Sequence, residues 1–183
     1  MEITRTFDLL DRLQKDFNDS DVFVSKVDGR WKHFSTSDYV EYSHRFSLGL
    51  LALGLNKGDR VATVTANRPE WNFADMGIAM AGMIHVPVFP TISHREFGHI
   101  LRHAGVSLLI IGDQMLMNKL GPVSTSILPP GRIFTFNQVS GERCWTEIVD
   151  LGQSRSKELS PQLEFRKKEI QPETPAVLIF TSG

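Results

Sequence analysis

The chain lacks the features that mark secreted and membrane-spanning proteins. It has one cysteine, Cys144, in 183 residues, which excludes an internal disulfide framework. Its longest apolar runs are too short to cross a bilayer as a helix, so any membrane contact is expected to be peripheral. The start, Met1 to Arg5, lacks the basic and then apolar pattern of a signal peptide. Together these absences predict a cytoplasmic protein with no transmembrane segment.

An excess of charge of one sign is also missing. The 20 Lys and Arg residues nearly balance the 21 Asp and Glu residues and leave a net charge of -1. No bulk attraction to nucleic acid follows, and nucleic-acid binding is not expected. The two commonest nucleotide-binding motifs, Gly-x-x-x-x-Gly-Lys and Gly-x-Gly-x-x-Gly, do not occur. The composition, with 41% hydrophobic and 22% charged residues, is that of one globular domain with a substantial core.

The front section of the chain combines helices with a hairpin. Apolar residues at helical spacing predict a surface helix over residues 7–17. Asp28-Gly29 lies between two short strand patterns and predicts a β-hairpin. Ser35 or Ser37 is expected to cap a longer helix that ends at Gly54.

From Asn56 onward, strand patterns alternate with helix patterns. The alternation predicts a doubly wound, mainly parallel α/β sheet with flanking helices, in addition to the N-terminal β-hairpin. Asn67 and Ser93 are the expected N-caps of two of the helices. Strands are predicted at 60–66, 83–89, 107–112 and 132–136, and helices at 67–81, 94–103, 114–120 and 145–151. Residues 152–174 are polar and punctuated by proline, so we expect a surface excursion with little core.

The end of the chain carries the strongest functional signal. Ala176 to Phe180 predicts a buried strand in the middle of the sheet, and Thr181, Ser182 and Gly183 follow as a small turn. Such a turn brings hydroxyls and backbone N–H groups to the carboxyl edge of a parallel sheet, where a phosphate can bind. A strand that ends in an ordinary small-residue turn is the alternative at this stage. The chain is interpreted as one incomplete α/β domain, residues 1–183.

Other candidates for chemistry are weaker. His99 and His103 have the i, i+4 spacing of two zinc ligands, but no third ligand is suggested, and no metal site is predicted. Cys144 has no flanking base, and Asp113 follows a strand where a helix cap is expected. His85 is interpreted as a packed or solvated histidine. No pair of titratable groups is positioned for acid/base work, so no catalytic residue is predicted in this chain.

Several stretches together resemble the N-terminal part of the adenylate-forming acyl-CoA synthetases. Gly58-Asp59-Arg60-Val61 is found across that superfamily. Asn67-Arg68-Pro69-Glu70-Trp71 and Val86-Pro87-Val88-Phe89-Pro90-Thr91 look specific to its long-chain fatty-acid branch. Ile179-Phe180-Thr181-Ser182-Gly183 resembles the start of the family loop Thr-Ser-Gly-(Ser/Thr)-Thr-Gly-x-Pro-Lys, which holds the phosphates of ATP.

The resemblance implies an ATP-dependent long-chain fatty-acid CoA ligase as the parent enzyme. In that reaction a fatty-acid carboxylate and ATP give an acyl-adenylate, and the thiol of CoA then displaces AMP. ATP, Mg²⁺ and CoA are the implied cofactors, and Thr181, Ser182 and Gly183 are the implied phosphate-binding residues. The family's remaining loop, acyl tunnel, metal-binding glutamate and catalytic lysine all follow the position of Gly183. We therefore expect these 183 residues alone to be inactive and to self-associate through uncovered apolar surface.

Two other functions fit the same residues. One is a stand-alone doubly wound module that binds a nucleotide or a partner without catalysis. The other is an adenylating enzyme for a different carboxylic acid. The reading frame after Gly183 separates the first alternative from the ligase, because continuation with Thr-Thr-Gly-x-Pro-Lys is expected only of the ligase.

Overall fold

The structure, a computed structural model, describes residues 3–27 and 29–181. An antiparallel hairpin near the start joins β1 to β2, with Phe23 opposite Phe34. Gly29 in its turn has φ 78°, as the hairpin prediction requires, whereas Asp28 lies outside the described residues. The strands are β1 (Phe23–Val27), β2 (Arg30–Phe34), β3 (Arg60–Val64), β4 (Ile84–Val88), β5 (Val106–Ile111) and β6 (Ile133–Thr135). The helices are α1 (Asp8–Asp16), α2 (Thr36–Ala52), α3 (Pro69–Met80), α4 (His94–Ala104), α5 (Gln114–Thr125), α6 (Trp145–Ser154) and α7 (Ser156–Glu169).

A four-stranded parallel sheet, in the order β4-β3-β5-β6, forms the centre of the molecule. Successive residues of β3 point to opposite faces, so that Val61 belongs to one apolar cluster and Ala62 to the other. The first cluster is closed by α1, α2, α3, α6 and α7, and the second by α4 and α5. Helices therefore cover both faces of the sheet, which confirms the predicted doubly wound α/β fold with its hairpin.

Helix caps were largely predictable. Ser35 and Ser93 each accept a hydrogen bond from the backbone of the third helical residue, and that residue's carboxylate accepts one in return. Asp113 caps α5, because the Leu116 N–H donates to its Oδ1 at 2.9 Å. The prediction for α3 was wrong by one residue, since Arg68 and not Asn67 occupies the N-cap. Pro69 then takes the first helical position and has no N–H that needs a partner.

Two glycines bring α2 and α6 into direct backbone contact. A Cβ atom added at Gly152 would lie 1.9 Å from the Arg45 carbonyl oxygen, and one at Gly49 would lie 1.9 Å from that of Ile148. No larger residue fits at either position without moving a helix. Together α2 and α6 thus form a closely packed layer under one face of the sheet.

The prediction of a surface excursion over residues 152–174 was wrong. Most of this stretch is α7, whose side chains Leu159 and Leu163 are buried in the first cluster. The Arg166 guanidinium also donates to the Leu55 carbonyl oxygen at 3.1 Å. A narrow apolar stripe holds the helix together with polar contacts, which include the Arg5 guanidinium donating to the Lys167 carbonyl oxygen at 2.6 Å, and many of the polar residues around the stripe face outward.

The prediction of a buried final strand in the middle of the sheet was also wrong. Residues 176–181, here called the tail, lie along the outer side of β4, which is the edge strand of the sheet. Val177 forms a single parallel bridge with His85. Because no strand of the described part of the chain covers its other side, the tail exposes 45% of Val177 and 64% of Ile179.

Candidate functional site

An open groove of about 1180 Å³ lies at the carboxyl end of β4. Parallel α/β sheets bind ligands at this edge. The groove is bounded by the loop after β4, the first turns of α4 and the end of the tail; its lining includes Phe89, Thr91, Ser93, Arg95, Glu96, His99 and Thr181.

The tail reaches the groove through contacts with β4 and α4. The His85 N–H donates to the Ala176 carbonyl oxygen at 2.9 Å, and the Leu178 N–H donates to the His85 carbonyl oxygen at 2.8 Å. Further along, the Phe180 ring packs edge-on against His103 of α4, with 5.9 Å between ring centroids. These contacts leave Thr181 exposed on the groove wall.

Of the three residues predicted to contact phosphate, only Thr181 is described. It lies on the groove wall together with residues of the start of α4, and its role in phosphate binding stays a prediction. Ser182 and Gly183 lie outside the described residues. Their role stays a prediction.

The start of α4 contributes polar side chains to a groove that is otherwise lined mainly by apolar residues such as Val88, Ile92 and Ile179. The Ser93 hydroxyl donates to Glu96 Oε2 at 2.6 Å, and the Glu96 N–H donates to the Ser93 oxygen at 3.2 Å. The Ser93 backbone N–H also donates to Glu96 Oε2 at 3.2 Å, and the hydrogen bonds from the Ser93 hydroxyl and N–H lower the pKa of the Glu96 carboxyl. The helix dipole and the Arg95 guanidinium favour an anion here, and the Glu96 carboxylate opposes one. The groove can therefore hold an anionic group, and the Ser93 hydroxyl that donates to the Glu96 carboxylate is engaged in the cap of α4.

A second polar arrangement lies beneath β4 and was missed by the sequence analysis. Trp71 Nε1 donates to Thr63 Oγ1 at 3.0 Å, Thr63 Oγ1 lies 2.8 Å from His85 Nε2, and His85 Nδ1 lies 2.6 Å from Asp75 Oδ1. Thr63 and His85 are each only 1% exposed. We call these four residues the Thr63–His85 network. His85 was interpreted as packed or solvated; the structure shows it packed, and both of its ring nitrogens have specific partners.

The Thr63–His85 network has the same sequence of groups as a hydroxyl nucleophile, its histidine base and an orienting carboxylate. Burial argues against that chemistry, because neither Thr63 nor His85 lines the groove. Only one local signal in the sequence could have indicated the network. Trp71 and Asp75 have i, i+4 spacing on α3, so both side chains lie on one helical face.

The remaining candidates have structural roles. Asp113 is a helix cap, as predicted. Cys144 is buried at the start of α6, with its sulfur 3.7 Å from the Phe136 carbonyl oxygen. The His99 and His103 rings stack with 5.3 Å between centroids, and no third potential metal ligand joins them within residues 3–27 and 29–181.

A parallel sheet covered by helices on both faces, with an open groove at its carboxyl edge, defines a doubly wound α/β domain. The chain belongs to the family of AMP-binding enzymes, whose sequence model matches residues 10–183. This assignment agrees with the resemblance noted in the sequence.

Curated relatives agree with this family, and a solved structure has a similar fold. The chain is 29% identical over 163 residues to the long-chain-fatty-acid–CoA ligase heimdall of Drosophila melanogaster, covering 84% of this chain and 23% of the relative. It is 26% identical over 171 residues to the long-chain-fatty-acid–CoA ligase FadD15 of Mycobacterium bovis, covering 93% and 28%. The apo structure of Mycobacterium smegmatis MbtA has a TM-score of 0.71 at 18% identity, covering 98% of this chain and 31% of MbtA. This last likeness shows the fold.

The chain spans 28% or less of the length of the two curated relatives. Most of the length of a whole ligase thus has no counterpart in these 183 residues. In the described residues no helix combines the length and the apolar character needed to span a bilayer.

Proposed function

We propose that the chain is the front part of the large N-terminal domain of an ATP-dependent long-chain fatty-acid CoA ligase, and that its groove receives the phosphates of ATP. The observation that carries the proposal is the attachment of the tail to β4, which leaves Thr181 on the groove wall next to the start of α4. Membership of the AMP-binding family supports ATP as the nucleotide. The names of the curated relatives support a long-chain fatty acid as the acid.

The proposed reaction has two steps. The fatty-acid carboxylate attacks the α-phosphorus of ATP, which forms an acyl-adenylate and releases pyrophosphate. The CoA thiol then attacks the acyl carbon, which forms the thioester and releases AMP. Both steps redistribute negative charge on phosphate, so N–H donors and cations aimed at that charge lower the barrier. In this chain the Thr181 hydroxyl, the start of α4 and the Arg95 guanidinium are the candidates for that role.

Magnesium is part of the proposal only as the partner of ATP. Across the described ranges, no three His, Cys, Asp or Glu side chains come close enough together to hold a metal ion. These residues therefore do not fit a protein-held metal site, and no step is assigned to a metal bound by them.

An exchange assay tests whether the chain alone catalyses the first step. We expect the purified 183-residue chain with palmitate and MgATP to show no ATP–pyrophosphate exchange above an enzyme-free control. Loss of one well-placed donor commonly costs about 3 kcal/mol in a transition state, and in the family most such donors follow the position of Gly183. Exchange well above the control would overturn the expectation of inactivity.

The natural reading frame past Gly183 provides the matching positive test. We expect it to continue with Thr-Thr-Gly-x-Pro-Lys, and the extended protein to catalyse exchange with palmitate and much less with benzoate. A stop codon there would favour the stand-alone module. Exchange with benzoate and not palmitate would favour an enzyme for another acid.

Phosphate binding by the groove can be tested without catalysis. Titration of the ¹⁵N-labelled chain with inorganic pyrophosphate is expected to shift the amide signals of Thr181, Ser93 and Arg95. Arg95→Gln should weaken this binding roughly threefold to tenfold, because a charge-assisted contact is lost. Arg30→Gln on the hairpin is the matched control and should leave binding unchanged. No shift at Thr181 or Ser93 in the unaltered chain would contradict a phosphate site here.

A further inference from the structure

The Thr63–His85 network includes the residue that holds the tail, His85. Both backbone hydrogen bonds that join the tail to β4 use the N–H and the carbonyl of His85. We propose that Thr63 and Asp75 are positioning residues: they fix His85, so that its backbone holds the tail and places Thr181 at the groove. The consequence for phosphate binding rests on the proposed function, whereas the placement of the tail does not.

The hydrogen bonds of the network have one consistent direction. The Trp71 indole N–H can only donate, so Thr63 Oγ1 accepts from it at 3.0 Å. The hydroxyl proton of Thr63 is then available for His85 Nε2, 2.8 Å away, and the arrangement in which that nitrogen accepts it leaves no proton of the network without a partner. The proton on His85 Nδ1 is donated to Asp75 Oδ1 at 2.6 Å. In this arrangement the His85 ring carries its hydrogen on Nδ1, and both ring nitrogens have a partner.

The network joins separate elements at one point of the sheet edge. Trp71 and Asp75 come from α3, Thr63 from the neighbouring strand β3, and His85 from β4. The carboxylate of Asp75 also lies near the buried Tyr39 of α2; burial, and then this charge, raise the pKa of the Tyr39 hydroxyl. Because partners on two elements hold the imidazole from both sides, the backbone of His85 has little freedom to shift.

The tail has few other contacts that could place it. Val177 and Ile179 are largely exposed, so side-chain packing contributes little along most of its length. Apart from the two hydrogen bonds to His85, the tail is held at its end by Phe180, which packs against the second apolar cluster and edge-on against His103. Loss of the network is therefore expected to loosen the tail well before it unfolds the sheet.

Amide hydrogen exchange at Leu178 measures the attachment of the tail directly. Thr63→Val keeps the shape of the side chain and removes its hydroxyl, and we expect exchange at the Leu178 amide to become about tenfold faster or more. The Leu109 amide of β5 donates to the Arg132 carbonyl oxygen next to β6, and its exchange rate should change no more than threefold. Thr63→Ser retains the hydroxyl and should return Leu178 to nearly its original rate.

Thr135→Val is the matched control. Thr135 is equally buried, lies on the opposite edge strand, and donates its hydroxyl to the Arg143 carbonyl oxygen at 3.2 Å. We expect it to leave the ratio of the Leu178 to the Leu109 exchange rates unchanged. The proposal fails if Thr63→Val slows amide exchange at Leu178 or leaves its rate unaltered. It also fails if the substitution speeds exchange at Leu178 and Leu109 equally.

A second variant keeps the proposal testable if Thr63→Val does not fold. Asp75→Ala alters a side chain that is partly accessible, and it should also speed exchange at Leu178 selectively. The ¹⁵N signals of the His85 ring should show the Nδ1–H tautomer in the unaltered chain and a shift toward the other tautomer in Asp75→Ala. An unchanged tautomer together with unchanged exchange would overturn the role of Asp75.

Pyrophosphate titration separates this proposal from the proposed function. One outcome is that Thr63→Val speeds amide exchange at Leu178 while pyrophosphate never shifts the Thr181 amide signal in the unaltered chain. In that case the network positions the tail and the phosphate site is refuted. If pyrophosphate binds equally well to both proteins and Leu178 exchange is the same, the phosphate site stands and the positioning role is refuted.

Discussion

Two histidine–aspartate pairs in this molecule have nearly the same geometry and very different surroundings. His85 Nδ1 lies 2.6 Å from Asp75 Oδ1, and His33 Nδ1 lies 2.7 Å from Asp21 Oδ1. The imidazole of His85 is buried beneath the sheet edge, whereas that of His33 is 54% exposed on the hairpin. Distance alone does not distinguish them.

The two pairs should differ in their contribution to stability, because water can replace a lost partner in one pair and not in the other. At the hairpin, water takes the place of either group, so an exposed pair contributes little to stability. Beneath β4, water does not reach Thr63 or His85, and removal of one member leaves a buried polar atom unsatisfied. The buried pair should therefore matter for both the stability and the arrangement of the groove, and the exposed pair for neither.

Replacing each histidine by alanine should give the largest difference in stability between the two pairs. His85→Ala leaves a cavity and strips partners from Thr63 and Asp75, so we expect the free energy of unfolding to fall by about 2–4 kcal/mol. His33→Ala should change it by no more than about 0.5 kcal/mol. Urea unfolding followed by circular dichroism measures both values. Equal losses in the two variants would show that burial does not set the contribution of these pairs.

Neutralising the two carboxylates should give a smaller contrast. Asp75→Asn keeps an oxygen that can accept from His85 Nδ1 but loses the charge, and we expect a cost of about 1–2 kcal/mol in urea unfolding. Asp21→Asn is the matched change in the exposed pair and should stay within about 0.5 kcal/mol. A loss at Asp21 as large as that at Asp75 would contradict this prediction.

The pH dependence of stability should give the smallest effect. The pKa of Tyr39 is raised in the folded protein, first by burial and then by the Asp75 charge. The hydroxyl stays protonated in the folded state while the unfolded chain ionises near pH 10, so the stabilising contribution is complete below pH 10 and is lost as pH rises further. We expect a loss of about 1 kcal/mol between pH 9 and 11 that Tyr39→Phe removes.

The other tyrosine provides the control for this measurement. Tyr42→Phe changes a ring that stacks on Phe73, as Tyr39 also packs on Phe73, and it should keep the alkaline loss that Tyr39 causes. Urea unfolding at pH 9 and 11 gives the comparison. A loss of the same size in Tyr39→Phe and the unaltered chain would mean that Tyr39 ionises freely in the folded state.

Features set by neighbouring residues could be predicted from the sequence. The caps Ser93 and Asp113 act on backbone N–H groups within the next turn, and Gly29 adopts the positive φ that its turn requires. The start of α4, and thus one wall of the groove, was predictable for the same reason. The segment that carries Thr181 was predicted at the correct edge of the sheet, but in the wrong position within it.

Features that depend on distant residues were not predictable. The leucines of α7, Leu159 and Leu163, form too narrow a stripe to stand out among polar residues, and Pro161 lies between them. The apolar tail was expected to be buried, but its outer side meets no strand of the described chain. The Thr63–His85 network joins three elements, so no single stretch of sequence contains its pattern.

The glycine contact between α2 and α6 also bears on how the domain can respond to a ligand. Because the backbones of Gly49 and Gly152 meet their partner helices directly, sliding of one helix along the other would force carbonyl groups to collide. The layer formed by α2 and α6, on the same side of the sheet as Trp71 and Asp75, is therefore expected to be rigid. If the groove binds a nucleotide as proposed, movement is expected instead in the opposite layer, where α4 forms the groove wall and rests on the sheet through side chains that can repack.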